Sequence, residues 1–309
     1  MAQEYDIVII GGGPAGLTAG IYAARARRST LLIERETFGG QIANTEMVEN
    51  YPGFPEGING LELGLKMQEQ ASKFGMEMAF GEVESVDLKS NPKVVKTTDE
   101  EYTAKAVIIA GGWKPKVLGI PGEEEFNGSG VAYCAMCDGP QFAGQEIAVI
   151  GGGDAGVEEG TYLTRYVNKV TVVEIMPKLT AAKIVQEAAK ANPKMAFITN
   201  TAVESINGEG GQVKSITLKN NATGEKSELA VDGVFMYCGQ EPNVQYLQGV
   251  LNLDKGGFII TNDMMETGIA GVYAAGDIRQ KSARQVVTAC GDGATAAHNA
   301  DKYLDTLEG

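Results

Sequence analysis

A chain of 309 residues, 43% hydrophobic and 21% charged, carries apolar surface for about two domains and is no disordered polymer. Its 40 acidic and 26 basic residues leave a net charge of −14, a field that repels phosphate backbones and anionic lipids, so neither nucleic acid nor a membrane is expected as a partner. No apolar run approaches the ~20 residues of a bilayer span, the first ten residues lack a basic leader and four cysteines make no disulfide scaffold, so a cytoplasmic protein is expected.

Tyr5 to Ile10 is a short apolar run that leads into Gly-Gly-Gly-Pro-Ala-Gly at 11–16. A helical stretch from Leu17 to Arg28 follows, then a second apolar run from Thr30 that ends on Glu34. Gly11, Gly13 and Gly16 occupy the three places of a G-x-G-x-x-G fingerprint inside a strand–turn–helix–strand unit. The first glycine makes the tight turn, the second lets backbone approach a pyrophosphate, and the third lets helix pack on strand. The helix N-terminus then faces the phosphate charge. Glu34 stands where a carboxylate accepts hydrogen bonds from ribose hydroxyls.

Further on, Val107 to Gly112 reads as a glycine-ended strand, and Pro115 with Pro121-Gly122 suits a connection into another domain, with Trp113 packing at that crossing. Cys134-Ala135-Met136-Cys137 comes next, followed by Asp138-Gly139. The fingerprint then repeats: a strand over Glu146 to Ile150, Gly-Gly-Gly-Asp-Ala-Gly at 151–156, a helix from Val157 to Tyr166, and a strand from Val170 to Val173 ending on Glu174. Gly151, Gly153, Asp154, Gly156 and Glu174 make up this second candidate nucleotide site. Ala202–Ile206, Val213–Leu218 and Lys226–Val231 read as strands of a small antiparallel layer. Glu241-Pro242 suits the return crossing.

The last signal is Gly271 to Asp277, a strand running into Gly-Asp, then Ala283 to Thr288 and an alanine-rich helical tail. An aspartate at such a strand end can bond a ribityl hydroxyl, and the helix after it can point its N-terminus at a flavin. The expected fold is α/β, with two Rossmann-like dinucleotide-binding domains, the second inserted in the first: 1–114 and 243–309 form one, 115–242 the other. Two such sites in one chain suit an enzyme that passes electrons between a flavin and a nicotinamide.

Three readings of the cysteine pair stand at this level: half a zinc site, two buried thiols, or a redox disulfide. A zinc site lacks a second pair, because Cys238 and Cys290 are isolated and His298 is the only histidine, so no metal is expected. The redox reading has the sulfurs closing a small ring, with Asp138 as acid or base beside them or as a turn or cap residue. Cys238 and Cys290 read as core packing, and His298 as a packing or capping residue.

These motifs, together with Gly39-Gly40-Gln41, Glu49-Asn50-Tyr51-Pro52-Gly53, Ile120-Pro121-Gly122-Glu123 and Arg284-Gln285, resemble the low-molecular-weight bacterial and archaeal thioredoxin reductases from end to end. The resemblance implies FAD on Gly11, Gly13, Gly16, Glu34, Gly40, Gln41, Asn50, Asp277, Arg284, Gln285 and Val286. It implies that Cys137 faces the flavin, that Cys134 attacks the disulfide of a thioredoxin or thioredoxin-like protein, and that Asp138 is the acid. It also implies a homodimer and a nucleotide domain that rotates during turnover. One departure stands out. NADPH-using members carry a His-Arg-Arg motif after the second strand, whereas residues 175–181 here hold no arginine, and Gly156 replaces their usual alanine. NADH is therefore expected in preference to NADPH, with ferredoxin as an alternative donor. A flavin-bearing redox sensor without turnover is the alternative from another class.

Overall fold

Ile7, Val8 and Ile9 are fully buried in strand β1 (Gln3–Ile10), on both faces at once, the signature of a parallel strand covered above and below. In the computed structural model, which describes residues 3–45, 47–247, 249–281 and 283–308, the chain divides into two units, Met1–Lys114 with Glu241–Gly309, and Pro115–Gln240.

In the first unit, β1 is followed by helix α1 (Pro14–Arg25), β2 (Thr30–Glu34), helix α2 (Gly60–Lys73), β3 (Glu77–Phe80), β4 (Val83–Asp87), β5 (Lys93–Thr97), β6 (Glu101–Ile109) and β7 (Trp113–Pro115). The sheet order is β3-β2-β1-β6-β5-β4. β1, β2, β3 and β6 run parallel, while β4 and β5 form an antiparallel extension. Helix α1 starts at Pro14, three residues before the apolar periodicity suggests. Gly13 supplies an extended N-cap, and a proline at the first helical position forgoes an N–H that the helix would leave unpaired anyway. It ends at Arg25, and Arg27 is left-handed at φ 65°.

The second unit contributes β8 (Val131–Ala132), helix α3 (Ala135–Asp138), β9 (Glu146–Ile150), helix α4 (Asp154–Leu163), β10 (Lys169–Val173), helix α5 (Lys183–Ala191) and β11 (Met195–Ile198). β12 (Thr201–Glu209), β13 (Gln212–Asn220) and β14 (Lys226–Ala230) follow, then β15 (Gly233–Met236). Its parallel sheet has the order β11-β10-β9-β15-β8, and β12-β13-β14 is the antiparallel layer that the sequence suggests. As in the first unit, the helix after the glycine turn begins directly at the turn, at Asp154 rather than Val157.

The chain returns through β16 (Gln240–Pro242), and the first unit is completed by β17 (Val272–Ala274), parallel to β6, and helix α6 (Val286–Glu308). α6 lies against α1 through small residues: a Cβ on Gly293 would sit 2.1 Å from the Ala15 carbonyl oxygen. Arg28, just past α1, reaches Asp301, Asp305 and Glu308 on α6. Ile9, Leu17, Ala297 and Leu304 belong to one buried cluster, and cutting Leu17 to Ala would cost about 2–5 kcal/mol.

Candidate functional site

Both fingerprints fold into the same turn. Gly11 (φ +106°) and Gly151 (φ +120°) take backbone conformations that side chains disfavour. A Cβ on Gly16 or Gly156 would lie 1.9 or 2.1 Å from the carbonyl oxygen of Gly11 or Gly151, so only glycine permits the helix to start this close to its strand. Glu34 and Glu174 do the same local work in each copy. Glu34 Oε2 accepts from Gly12 N at 2.6 Å and Oε1 from Glu36 N at 2.9 Å. Glu174 Oε2 accepts from Gly152 N at 2.5 Å and Oε1 from Met176 N at 2.8 Å. These bonds take one lone pair on each carboxylate oxygen and leave others for the ribose hydroxyls that the sequence reading assigns to both acids. Each carboxylate accepts charge-assisted hydrogen bonds from two backbone N–H groups and braces its own turn, and Glu174 is 6% exposed.

In the first unit the expected flavin residues converge on the start of α1. Gly40 packs on Gly13, where a Cβ would be 3.2 Å from the Gly13 Cα, and Gly276 faces Ala15. Gln41 Nε2 donates to the Trp113 carbonyl at 3.3 Å, and Trp113 Nε1 donates to Asp277 Oδ2 at 3.3 Å. Trp113 thus joins two site residues. Asn50 donates to the Gln285 side chain at 3.0 Å, and Val286 opens α6. Arg284 lies 3.9 Å over the Phe258 ring and donates to the Asp277 carbonyl at 3.4 Å.

Asp277 Oδ1 is buried without a hydrogen-bond partner among the described residues. The Lys281 ammonium stands 3.8 Å away, outside hydrogen-bond reach. Burial raises the Asp277 carboxyl above its ordinary value, against the opposing pull of Lys281, Trp113 and Arg284. An acceptor left bare in the interior costs stability unless something donates to it. A ribityl hydroxyl supplies such a donor, and the space beside Gly13 is open, with nothing within 4 Å of a Cβ built there. The residues present fit a flavin dinucleotide. Lys281 is itself held by Asp292 Oδ2 at 2.9 Å, and Asp292 also binds Arg279 and the Gly276 N–H. No sequence motif marks this buried charge group.

In the second unit, Gly153 leaves its turn open on one side, with only Thr180 Oγ1 near a Cβ, at 3.7 Å. Asp154 turns away from that opening, accepting from Ala182 N at 2.6 Å. Cys134 and Cys137 are joined as a disulfide. Cys134 precedes α3, and its sulfur accepts from Cys137 N at 3.1 Å. Cys137 is exposed and Cys134 half-buried. Asp138 ends α3 and makes no capping bond with its side chain. Burial raises its carboxyl above the ordinary value, the direction that favours a proton donor.

Two residues in this unit have bonding roles that the sequence reading did not assign. The Tyr237 hydroxyl accepts from Ala135 N at 3.1 Å. Glu123, 1% exposed, accepts from the backbone N–H groups of Leu118, Gly119 and Ile120 and from Tyr133 Oη at 2.8 Å. Cys238 packs in the core and donates to the Ile150 carbonyl at 3.4 Å; burial pushes its thiol up to about 12. Cys290 packs against the first unit's core beside Tyr51. His298, expected to pack or cap, is exposed on α6. Among the described residues no group of three His, Cys, Asp or Glu side chains could hold a metal ion.

The profile of the pyridine nucleotide-disulphide oxidoreductase family matches residues 5–293. The chain is 51% identical to the thioredoxin reductase of Bacillus subtilis over 310 aligned positions, covering 100% of this chain and 98% of that one. The solved thioredoxin reductase of Lactococcus lactis, in the conformation termed FR, superposes with a TM-score of 0.96 at 46% identity, covering 98% of this chain and 100% of that one. That of T. acidophilum gives 0.93 at 35% identity, with 99% of each chain covered.

Proposed function

The chain belongs to the pyridine nucleotide-disulphide oxidoreductase family, and from that premise we infer that it works as a thioredoxin reductase, reducing the disulfide of a thioredoxin or thioredoxin-like protein. The observation that carries this reading is the Cys134–Cys137 disulfide at the start of a helix, in a unit with its own nucleotide turn, beside a carboxyl whose pKa burial raises. FAD, when bound, relays an electron pair from reduced nicotinamide to the disulfide. Gly11, Gly13, Gly16, Gly40, Gln41, Asn50, Asp277, Arg284, Gln285 and Val286 would hold it, with Glu34 shaping the turn. Gly151, Gly153 and Gly156 would cradle the nicotinamide dinucleotide, with Asp154 and Glu174 supporting that turn.

Two electrons break the Cys134–Cys137 bond and leave two sulfurs that need protons or donors. Asp138 gives a proton to the departing sulfur. The Cys134 thiolate attacks one sulfur of the partner disulfide, forming a mixed disulfide and releasing the other partner sulfur as a thiolate. Cys137 then displaces the bound partner sulfur, and the Cys134–Cys137 bond closes again. As it attacks, Cys137 passes its proton back through Asp138 to one partner sulfur, the other partner thiolate takes a proton from solvent, and the partner leaves as a dithiol with atoms, electrons and protons balanced.

NADH is the preferred nucleotide in this reading. Repulsion by a free Glu174 no longer supports it, since that carboxylate is buried and paired with two N–H groups. What supports it is the absence of a guanidinium over 175–181, where Ile175 and Met176 are exposed instead and Lys178 offers one flexible charge. The protein is read as a cytoplasmic homodimer. Exposed Tyr22 on α1, with Leu61 and Leu65 on α2, is apolar surface that a subunit contact would cover, and no helix among the described residues is long and apolar enough to cross a membrane. Anaerobic titration of the FAD-loaded protein with NADH, NADPH and reduced ferredoxin in parallel, followed by insulin-coupled turnover with thioredoxin, tests the reading. Flavin reduction without thioredoxin turnover would leave the sensor alternative standing, and reduction by ferredoxin alone would replace the nucleotide donor.

A further inference from the structure

We propose that Tyr237 is a positioning residue for the redox pair: fixed against the second glycine turn, its hydroxyl caps the helix after Cys134 and so keeps the Cys137 N–H on the Cys134 sulfur. The proposal rests on the reading of Cys134 as the attacking sulfur.

Tyr237 directly follows β15, and its N–H donates to the Ile150 carbonyl at 2.8 Å. The glycine turn lies flush against it. A Cβ on Gly151 would come within 2.2 Å of the Tyr237 carbonyl oxygen, and one on Gly156 within 3.4 Å of the Tyr237 Cβ. From this fixed base the side chain reaches α3, where its oxygen accepts from Ala135 N at 3.1 Å.

Ala135 is 1% exposed, so that first-turn N–H has no water to replace the tyrosine. α3 has only four residues, and little inside it resists a shift. Asp138 N reaches the Cys134 carbonyl at 3.1 Å, and Gly139 N the Ala135 carbonyl. From outside, Ala135 and Gly139 pack near Leu163 of α4, and Tyr237 adds the directed bond that aims the first turn. The consequence falls on Cys134, whose sulfur accepts from Cys137 N at 3.1 Å. In the reduced pair that donor meets a thiolate, and an N–H aimed at a thiolate lowers its pKa and favours the reduced form. The ionisable groups around Cys134 are Tyr133, Cys137 and Asp138 on its own segment, Tyr237 after β15, and Glu159 of α4, whose charge Tyr237 feels.

Tyr237→Phe keeps the ring and removes only the acceptor. The variant and the parent, loaded with FAD, are reduced anaerobically with dithiothreitol, freed of it, and labelled with iodoacetamide from pH 5 to 9, with each cysteine followed by peptide mass spectrometry. Without the cap, the Cys134 labelling profile should move to higher pH, with labelling at pH 7 slower by about 3- to 10-fold. Cys238 and Cys290 should label as in the parent. In glutathione redox buffers the variant's disulfide should be harder to reduce. Superimposable Cys134 profiles would overturn the proposal. Hydrogen exchange in the unaltered protein is a second test that needs no variant: the Ala135 amide should be strongly protected, and exchange at the rate of an open amide would also overturn it. Neither measurement involves thioredoxin, so insulin-coupled turnover of the parent tests the functional reading separately.

Discussion

The two nucleotide turns are near copies, and what surrounds them is not. Gly11 and Gly151, Gly16 and Gly156, Glu34 and Glu174 repeat each other to within a few tenths of an ångström in their bonds. Around the first turn stand a buried, unpartnered aspartate oxygen and a helix N-terminus at Val286. Around the second stand a disulfide, a capping tyrosine and a carboxyl raised by burial. The shared backbone makes a phosphate cradle, and the surrounding side chains decide what is done with the bound molecule.

The sharpest way to break this contrast is Cys134→Ser or Cys137→Ser. Either should abolish thioredoxin reduction while FAD content, a property of the first unit, stays at the parent level. Asp138→Asn should slow dithiol formation by about 10²–10⁴-fold, the range of a lost general acid. The pH profile gives the sign. The carboxyl must hold its proton to donate it, and burial raises its pKa, so the step is fastest below that raised value and falls as pH climbs through it. Stopped-flow traces of the Asn variant should lack that limb.

Alanine at the third glycine of each turn separates the units. Strain of about 1–3 kcal/mol in either variant corresponds to about one to two orders of magnitude in ligand retention. Gly16→Ala should lose FAD, read by fluorescence of released flavin. Gly156→Ala should keep it and raise the nicotinamide KM. Loss of FAD from Gly156→Ala would show that the two copies are not independent. The smallest effect is nucleotide choice: a preference for NADH of about tenfold, or ~1.4 kcal/mol, which Ile175→Arg with Met176→Arg should narrow when kcat/KM is compared for NADH and NADPH.

The parts legible in the sequence are those fixed over a few residues: glycine spacing, an apolar run before it, an acid after it, a C-x-x-C. Those features place both turns, the insertion and the disulfide. Helix starts at Pro14 and Asp154 were hidden because caps and turn geometry, rather than apolar periodicity, set them. Between α2 and β6 the strands β3, β4 and β5 are only four or five residues long, and β3 and β5 find partners in β2 and β6. Lys281 with Asp292, and Ala135 with Tyr237, meet only after folding; the latter two are 102 residues apart. The turn-bracing bonds of Glu34 and Glu174 were hidden for the same reason. Spacing shows where a carboxylate arrives, while its bonds to Gly12 and Gly152 depend on how the turn curls back over it.

The split of the first unit also governs its birth on the ribosome. β1 and α1 emerge early, yet α6, which covers α1, and β17, which pairs with β6, are made only after the whole of 115–240 has been translated. At about 5–20 residues per second, the wait from α1 to α6 is roughly 10–50 s. The inserted unit, contiguous in the chain, closes its own core in that interval. The earlier-born unit meanwhile lacks the cover that Gly293 of α6 gives α1 at Ala15 and Ala19, an exposure that invites chaperone binding and premature association. The segment that shields it also carries Asp277, Arg284 and Gln285, so completion of the core and readiness to take up the flavin arrive together, at the end of synthesis.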